Sequence, residues 1–148
     1  MAAGDSMNGG KSTSIVQVLQ PGAEDTRGAL QVSGEIVAAG QPFTWAGVLY
    51  SPGQAPMQSV NLSGKKSSSF WAKGDGKTYT LIVLTEGRSG NSGEMPAMTT
   101  FAAGSEWKQY TFPFSTFETD GSDLAGLGFV HAQEPGKFQF EIDELQIK

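Results

Sequence analysis

Apolar residues recur along this chain with a period close to two, in short runs that end at glycine, proline, aspartate or serine. Leu30, Val32 and Ile36 alternate with Gln31, Ser33 and Glu35, the spacing that sends successive side chains to opposite faces of a strand. Runs of the same kind lie at Ile15–Leu19, Trp45–Tyr50, Ser69–Lys73, Tyr79–Leu84, Met98–Phe101, Trp107–Phe112, Leu124–His131 and Lys137–Lys148. No segment keeps a 3.6-residue apolar period over three turns, so helices have nothing to pack with. Many short strands with turn signals between them predict an all-β chain, folded as a sandwich or a barrel.

With 148 residues, no internal repeat and no linker-like stretch, residues 1–148 are expected to form a single domain. Three local features refine the reading. Gly34 interrupts an alternating run, which predicts a bulge or a close backbone approach. Asp75-Gly76 stands between two strand-like runs, the pattern of a two-residue hairpin with a type I′ turn. Near the end, Phe138, Phe140 and Ile142 share one parity while Leu145 and Ile147 have the other, so a bulge is expected at Asp143-Glu144. Gly87 to Gly93 is expected to be a mobile loop.

Several function classes fall away. The net charge is −5 and there is no block of lysine or arginine, so no surface is expected to neutralise nucleic-acid phosphates. There is no cysteine, which removes disulfides, thiolate metal sites and cysteine nucleophiles. No apolar run approaches the length that spans a membrane. The opening Met1-Ala2-Ala3-Gly4-Asp5 lacks a signal-peptide pattern, so any export signal is expected outside this sequence.

Catalytic patterns are equally sparse. Gly74-Asp75-Gly76-Lys77-Thr78 looks like the end of a phosphate-binding loop, but Trp71 stands where the motif needs its first glycine. There is no Gly-x-Ser-x-Gly elbow. His131 is the one histidine; it shares parity with Leu127 and Phe129, so it ends either a buried row or a groove-facing one. The chain is therefore expected not to be an enzyme, although paired carboxylates would be invisible in sequence. Asn61-Leu62-Ser63 matches a glycosylation acceptor, a short and common pattern.

Binding is the better prospect. Trp45, Tyr50, Trp71, Tyr79, Trp107 and Tyr110 lie on or beside strands, where flat amphipathic rings either fill the core or stack on sugars. Lys73, Arg88, Gln109 and Asp120 are polar residues available to orient such a ligand. The candidate ligand-binding set is Trp45, Tyr50, Trp71, Lys73, Tyr79, Arg88 and His131, read as one concave sheet face that binds carbohydrate. The alternative is an accessory or protein-interaction domain, with an apolar patch that includes Trp45 to Tyr50 and Met95 to Met98.

The order of motifs adds a resemblance. Asp5-Ser6-Met7-Asn8-Gly9-Gly10-Lys11-Ser12 resembles the Asp-x-Met-x-Gly-Gly-x-Ser signature of the CIA30 domain. Gly74-Asp75-Gly76-Lys77-Thr78-Tyr79 is similar to that family's Gly-Asp-Gly-Lys-x-Tyr segment. Trp107-Lys108-Gln109-Tyr110, Phe112-Pro113-Phe114-Ser115, Leu127-Gly128-Phe129 and Phe138-Gln139-Phe140-Glu141-Ile142-Asp143 follow in the expected order. The resemblance implies a two-sheet antiparallel β-sandwich, a jelly roll of the galactose-binding-like type related to family 11 carbohydrate-binding modules. It also implies a non-catalytic role, with a hydrolase domain as a possible neighbour: bacterial domains of this kind are appended to exported amidohydrolases. Relatives often hold a structural calcium, for which the matching positions are Asp5 and Asp143, with backbone carbonyls of the glycine-rich opening as further oxygens.

Overall fold

The computed structural model describes residues 2–5, 9–20, 22–23, 28–38, 40, 43–54, 58–86 and 96–148. Ten strands follow in order: β1 (Ala2–Gly4), β2 (Thr13–Leu19), β3 (Ala29–Ile36), β4 (Trp45–Tyr50), β5 (Ser67–Gly74), β6 (Thr78–Thr85), β7 (Ala97–Ala102), β8 (Lys108–Pro113), β9 (Leu124–Ala132) and β10 (Gly136–Ile147). They form two five-stranded sheets, β1-β4-β9-β6-β7 and β2-β3-β10-β5-β8, antiparallel throughout. The fold is the expected β-sandwich.

The inner faces enclose a core rich in aromatic rings. Phe70 of the second sheet meets Phe101 and Phe129 of the first edge-on, with centroids 5.1 and 4.9 Å apart, the geometry that ring quadrupoles favour. Val32, Phe140 and Ile142 face Leu81, Val83 and Leu127 in the same cluster. Phe114 and Phe117 of a short 3-10 helix, Phe114–Phe117, are also buried.

The opening motif is a clamp. The Asp5 carboxylate is buried and accepts hydrogen bonds from the Ser12 amide (3.0 Å), the Ser12 hydroxyl (2.8 Å) and the Trp45 amide (3.1 Å). Ser12 in turn accepts from the Val37 amide at 3.1 Å. Ser12 leads into β2 and Val37 follows β3, whereas Trp45 opens β4 in the other sheet. One carboxylate thus joins both layers. Gly10 is required here because a Cβ would lie 2.2 Å from Asp5 Oδ1.

The expected close approach at Gly34 is present: a Cβ there would lie 1.9 Å from the Thr13 carbonyl oxygen. The expected bulge is present too, as the β10–β5 register shifts between Asp143 and Gln146 and Glu144 has a φ of 52°. Asp75-Gly76 departs from expectation. β5 pairs with β10 and β8, while β6 pairs with β9 and β7, so the turn crosses between sheets and is no hairpin. Gly76 alone of the two has positive φ, whereas a type I′ turn needs both.

That crossing explains Tyr79. Asp75 accepts hydrogen bonds from the Tyr79 hydroxyl (2.7 Å) and the Gln139 amide (3.0 Å), and the Tyr79 oxygen also lies 3.1 Å from the Gln139 carbonyl oxygen. Tyr79 is fully buried. Burial, reinforced by the Asp75 carboxylate, raises its pKa. His131 lies beside it, 5.2 Å from the Tyr79 ring and 5.5 Å from Phe138. It is 1% exposed, and neither ring nitrogen makes a well-formed hydrogen bond, although the Thr78 backbone lies close enough to act on the ring. Burial pushes its pKa below 6.5, opposed by Glu134, the Thr78 backbone and Asp75, with Lys77 adding to the fall. Both residues belong to the core, so neither can contact a ligand on a sheet surface. This corrects their place in the candidate set.

Asp5→Ala would leave the buried Ser12 amide and the part-buried Trp45 amide without their acceptor and should cost about 3 kcal/mol, against about 0.5 kcal/mol or less for the exposed Glu35→Ala; urea denaturation measures both. His131 should make stability depend on pH. Its depressed pKa means the unfolded chain binds the proton more readily, so the contribution is complete above about 6.5 and falls as pH drops below it. Thermal midpoints across that range should show this acid limb in the wild type and its reduction in His131→Leu.

Candidate ligand-binding face

Alternation along the strands gives each sheet an outer face, and the two differ in chemistry. On the first sheet, Leu49, Ile82, Leu84 and Val130 point away from the inter-sheet core and form a second buried apolar cluster, with Trp45 and Ala132 packed against it. Met98 pairs with Ile82 on this face. Tyr50 has the opposite parity to Leu49, pairs with Leu127 and is 43% exposed at the strand end. Trp45 and Tyr50 are therefore not presented together.

The outer face of the second sheet is polar along its centre, with Ile15 and Leu19 apolar at its β2 edge. Phe70 and Ala72 enter the core, so Trp71 and Lys73 between them face outward. Trp71 is paired with Gln109 on one side and Asp143 on the other. Lys73 is paired with Glu141, and their charged groups meet at 3.7 Å. The same ammonium lies 5.2 Å from the centre of the Trp107 ring, within cation–π range. Beyond Glu141 the register continues to Gln31 and then Gln17, whose amide nitrogen donates to the Gln31 carbonyl oxygen.

Gln17, Gln31, Glu141 and Lys73 thus form one row across four strands, and Trp107, just before β8, extends it. At about 4.8 Å per strand the row is roughly 19 Å long. A partly exposed ion pair of this length adds little stability. Its consequence is positional: the Lys73 ammonium sits between Glu141 and Trp107, and Trp71 with Gln109 flanks it one row away.

The candidate residues therefore divide. Trp71 and Lys73 share a face, and Gln109 joins them. Trp45 lies on the opposite side of the molecule, and Arg88 lies outside the described residues, as do Met95 and the 87–93 segment. Asp120 sits in an exposed turn, with Oδ1 accepting from the Ser122 amide at 2.9 Å, and its hydrogen bonds to Ser122 lower its pKa. Gln17, Gln31 and Glu141 were not singled out from sequence. Their alternation with core residues marks them as outward-facing, but strand order decides which of them are neighbours.

Asp5 and Asp143 are not brought together. Asp5 is held beyond the C-terminal end of β3, through Ser12 and Val37. Asp143 follows Ile142, which pairs with Leu30 at the other end of β3. The Asp5 oxygens are already turned towards N–H and O–H donors, and Asp143 accepts from the Ala23 and Glu144 amides at 2.8 Å each. The pair does not fit a shared calcium ion, and among the described residues no group of three or more histidines, aspartates or glutamates is gathered to hold a metal.

The fold is similar to that of solved carbohydrate-binding modules. The family 11 module of the cellulosomal cellulase Lic26A-Cel5E of Clostridium thermocellum superposes with a TM-score of 0.71 at 16% identity, over 99% of this chain and 85% of that one. A family 30 carbohydrate-binding module gives 0.70 at 14% identity, over 99% and 91%. The Clostridium thermocellum family 11 module in complex with a β-1,3-1,4-mixed-linked tetrasaccharide gives 0.67 at 16% identity, over 99% and 86%. No curated protein matches the sequence. The family model for complex I intermediate-associated protein 30 matches residues 1–142. With the Asp5 clamp and the Asp75–Tyr79 crossing formed by the motifs that carry the likeness, the chain belongs to the CIA30 family.

Proposed function

We propose that this domain is a non-catalytic module that binds carbohydrate on the outer face of its second sheet. The observation that carries the reading is the pairing of Trp71 with Gln109 beside the Lys73–Glu141–Trp107 cluster. Sugars present an apolar face and a rim of hydroxyls, and indole rings next to fixed donors and acceptors match both. The Lys73 ammonium and the Glu141 carboxylate are paired before any ligand arrives, which reduces the entropy lost on binding. Solved neighbours that are carbohydrate-binding modules support the same class. A binding role also suits the single histidine, which is enclosed by Tyr79 and Phe138 and out of reach of a surface ligand.

A glycan array with the purified domain, followed by affinity gel electrophoresis on the polysaccharides it selects, tests the reading. Trp71→Ala should lower affinity at least about tenfold, the value of roughly 1.4 kcal/mol of stacking, with little change in thermal midpoint. Trp45→Ala should leave affinity within about twofold. Absence of glycan binding, or binding lost in Trp45→Ala and kept in Trp71→Ala, would overturn the assignment.

A further inference from the structure

The four outermost strands of the sandwich are not equally protected. An exposed strand edge invites pairing with another chain, and proteins usually guard it with charge, proline or brevity. β1 has three residues, and β8 carries Lys108 and Pro113. β7 presents one exposed large apolar side chain, Met98. β2 has seven residues and none of these guards. No charged residue occurs from Ser12 to Ala23, and Ile15 and Val18 are 67% and 68% exposed. Among the described residues, β2 pairs with β3 alone.

The sequence of this edge is self-complementary. Ile15-Val16-Gln17-Val18-Leu19 reads apolar, valine, glutamine, valine, apolar from either end. An antiparallel strand of the same sequence, centred on Gln17, places Ile15 against Leu19, Val16 against Val18 and Gln17 against Gln17 of the second copy. The faces agree as well. Val16 and Val18 share the parity of the core-facing Val32 and Leu30 they pair with, while Ile15, Gln17 and Leu19 share the outer face. Antiparallel partners point to the same side of a sheet, so every apolar side chain meets an apolar one and the amides meet at the two-fold axis.

We infer that two copies of this chain associate through β2, joining their second sheets into one ten-stranded sheet. The contact is isologous and closes at two. Its small area makes it a weak, concentration-dependent dimer. Because Gln17 lies at the axis, the rows from Gln17 to Trp107 of the two copies fall in line on a single face. The dimer itself does not depend on the carbohydrate reading.

Sedimentation equilibrium from roughly 1 μM to 1 mM, the range of weak association, should show a monomer–dimer equilibrium. Gln17→Lys sets two like charges face to face at the axis and should weaken it roughly tenfold. Gln17→Glu should do the same, while an equimolar mixture of the two variants should restore a heterodimer by native mass spectrometry. Circular dichroism checks that both variants keep the fold, as expected for an exposed position. A strictly monomeric wild type, a dimer indifferent to both substitutions, or assembly beyond two copies would overturn the inference.

Discussion

A sandwich is stable only while its two sheets stay in register, and here one buried carboxylate sets that register at the start of the chain. Asp5 receives the amide and hydroxyl of Ser12 from the second sheet and the amide of Trp45 from the first. A buried anion is costly unless its lone pairs are filled, and these donors fill them. Two of the donors are backbone groups, which cannot turn aside. The Ser14 hydroxyl adds to the same seam, lying 2.9 Å from the Gly47 carbonyl oxygen and 3.2 Å from that of Ala3, either of which accepts its proton.

The second tie between the layers is the Asp75 crossing. Its carboxylate holds the Tyr79 hydroxyl and the Gln139 amide, so the turn from β5 to β6 is fastened to β10. The neighbouring β7–β8 connection joins it, with the Gly76 amide bonded to the Ala103 carbonyl at 2.8 Å. The tie has a cost. It encloses His131, whose ring nitrogens make no well-formed hydrogen bond, between the rings of Tyr79 and Phe138. The same enclosure keeps Tyr79 and His131 away from the sheet surfaces.

Much of the fold was legible because period-two alternation is a direct consequence of strand geometry. The parity change between Ile142 and Leu145 located the bulge, and the interruption at Gly34 located a close approach. The Asp75-Gly76 crossing was not legible as such: a glycine turn between two strands looks the same whether it joins partners or opposing layers. β1 was missed because Ala2–Gly4 is too short to show alternation. The candidate face was legible only in part. Trp71 and Lys73 share a parity two residues apart, so their common face follows from sequence. Tyr79 and His131 carry polar groups that suggest a surface, yet pairing places them on the inner side. The row from Gln17 to Trp107 depends on the strand order β2-β3-β10-β5-β8, in which most neighbours are distant in sequence.

These points make the Asp5 clamp the element on which the placement of both faces depends. Native-state hydrogen exchange reads it directly, because the Ser12 and Trp45 amides end on that carboxylate. Their exchange should require the same free energy of opening as the core amides of β6 and β9, changing with denaturant as global unfolding does. Exchange of Ser12 and Trp45 through local fraying, while β6 and β9 remain protected, would contradict the claim that this carboxylate holds the two sheets together.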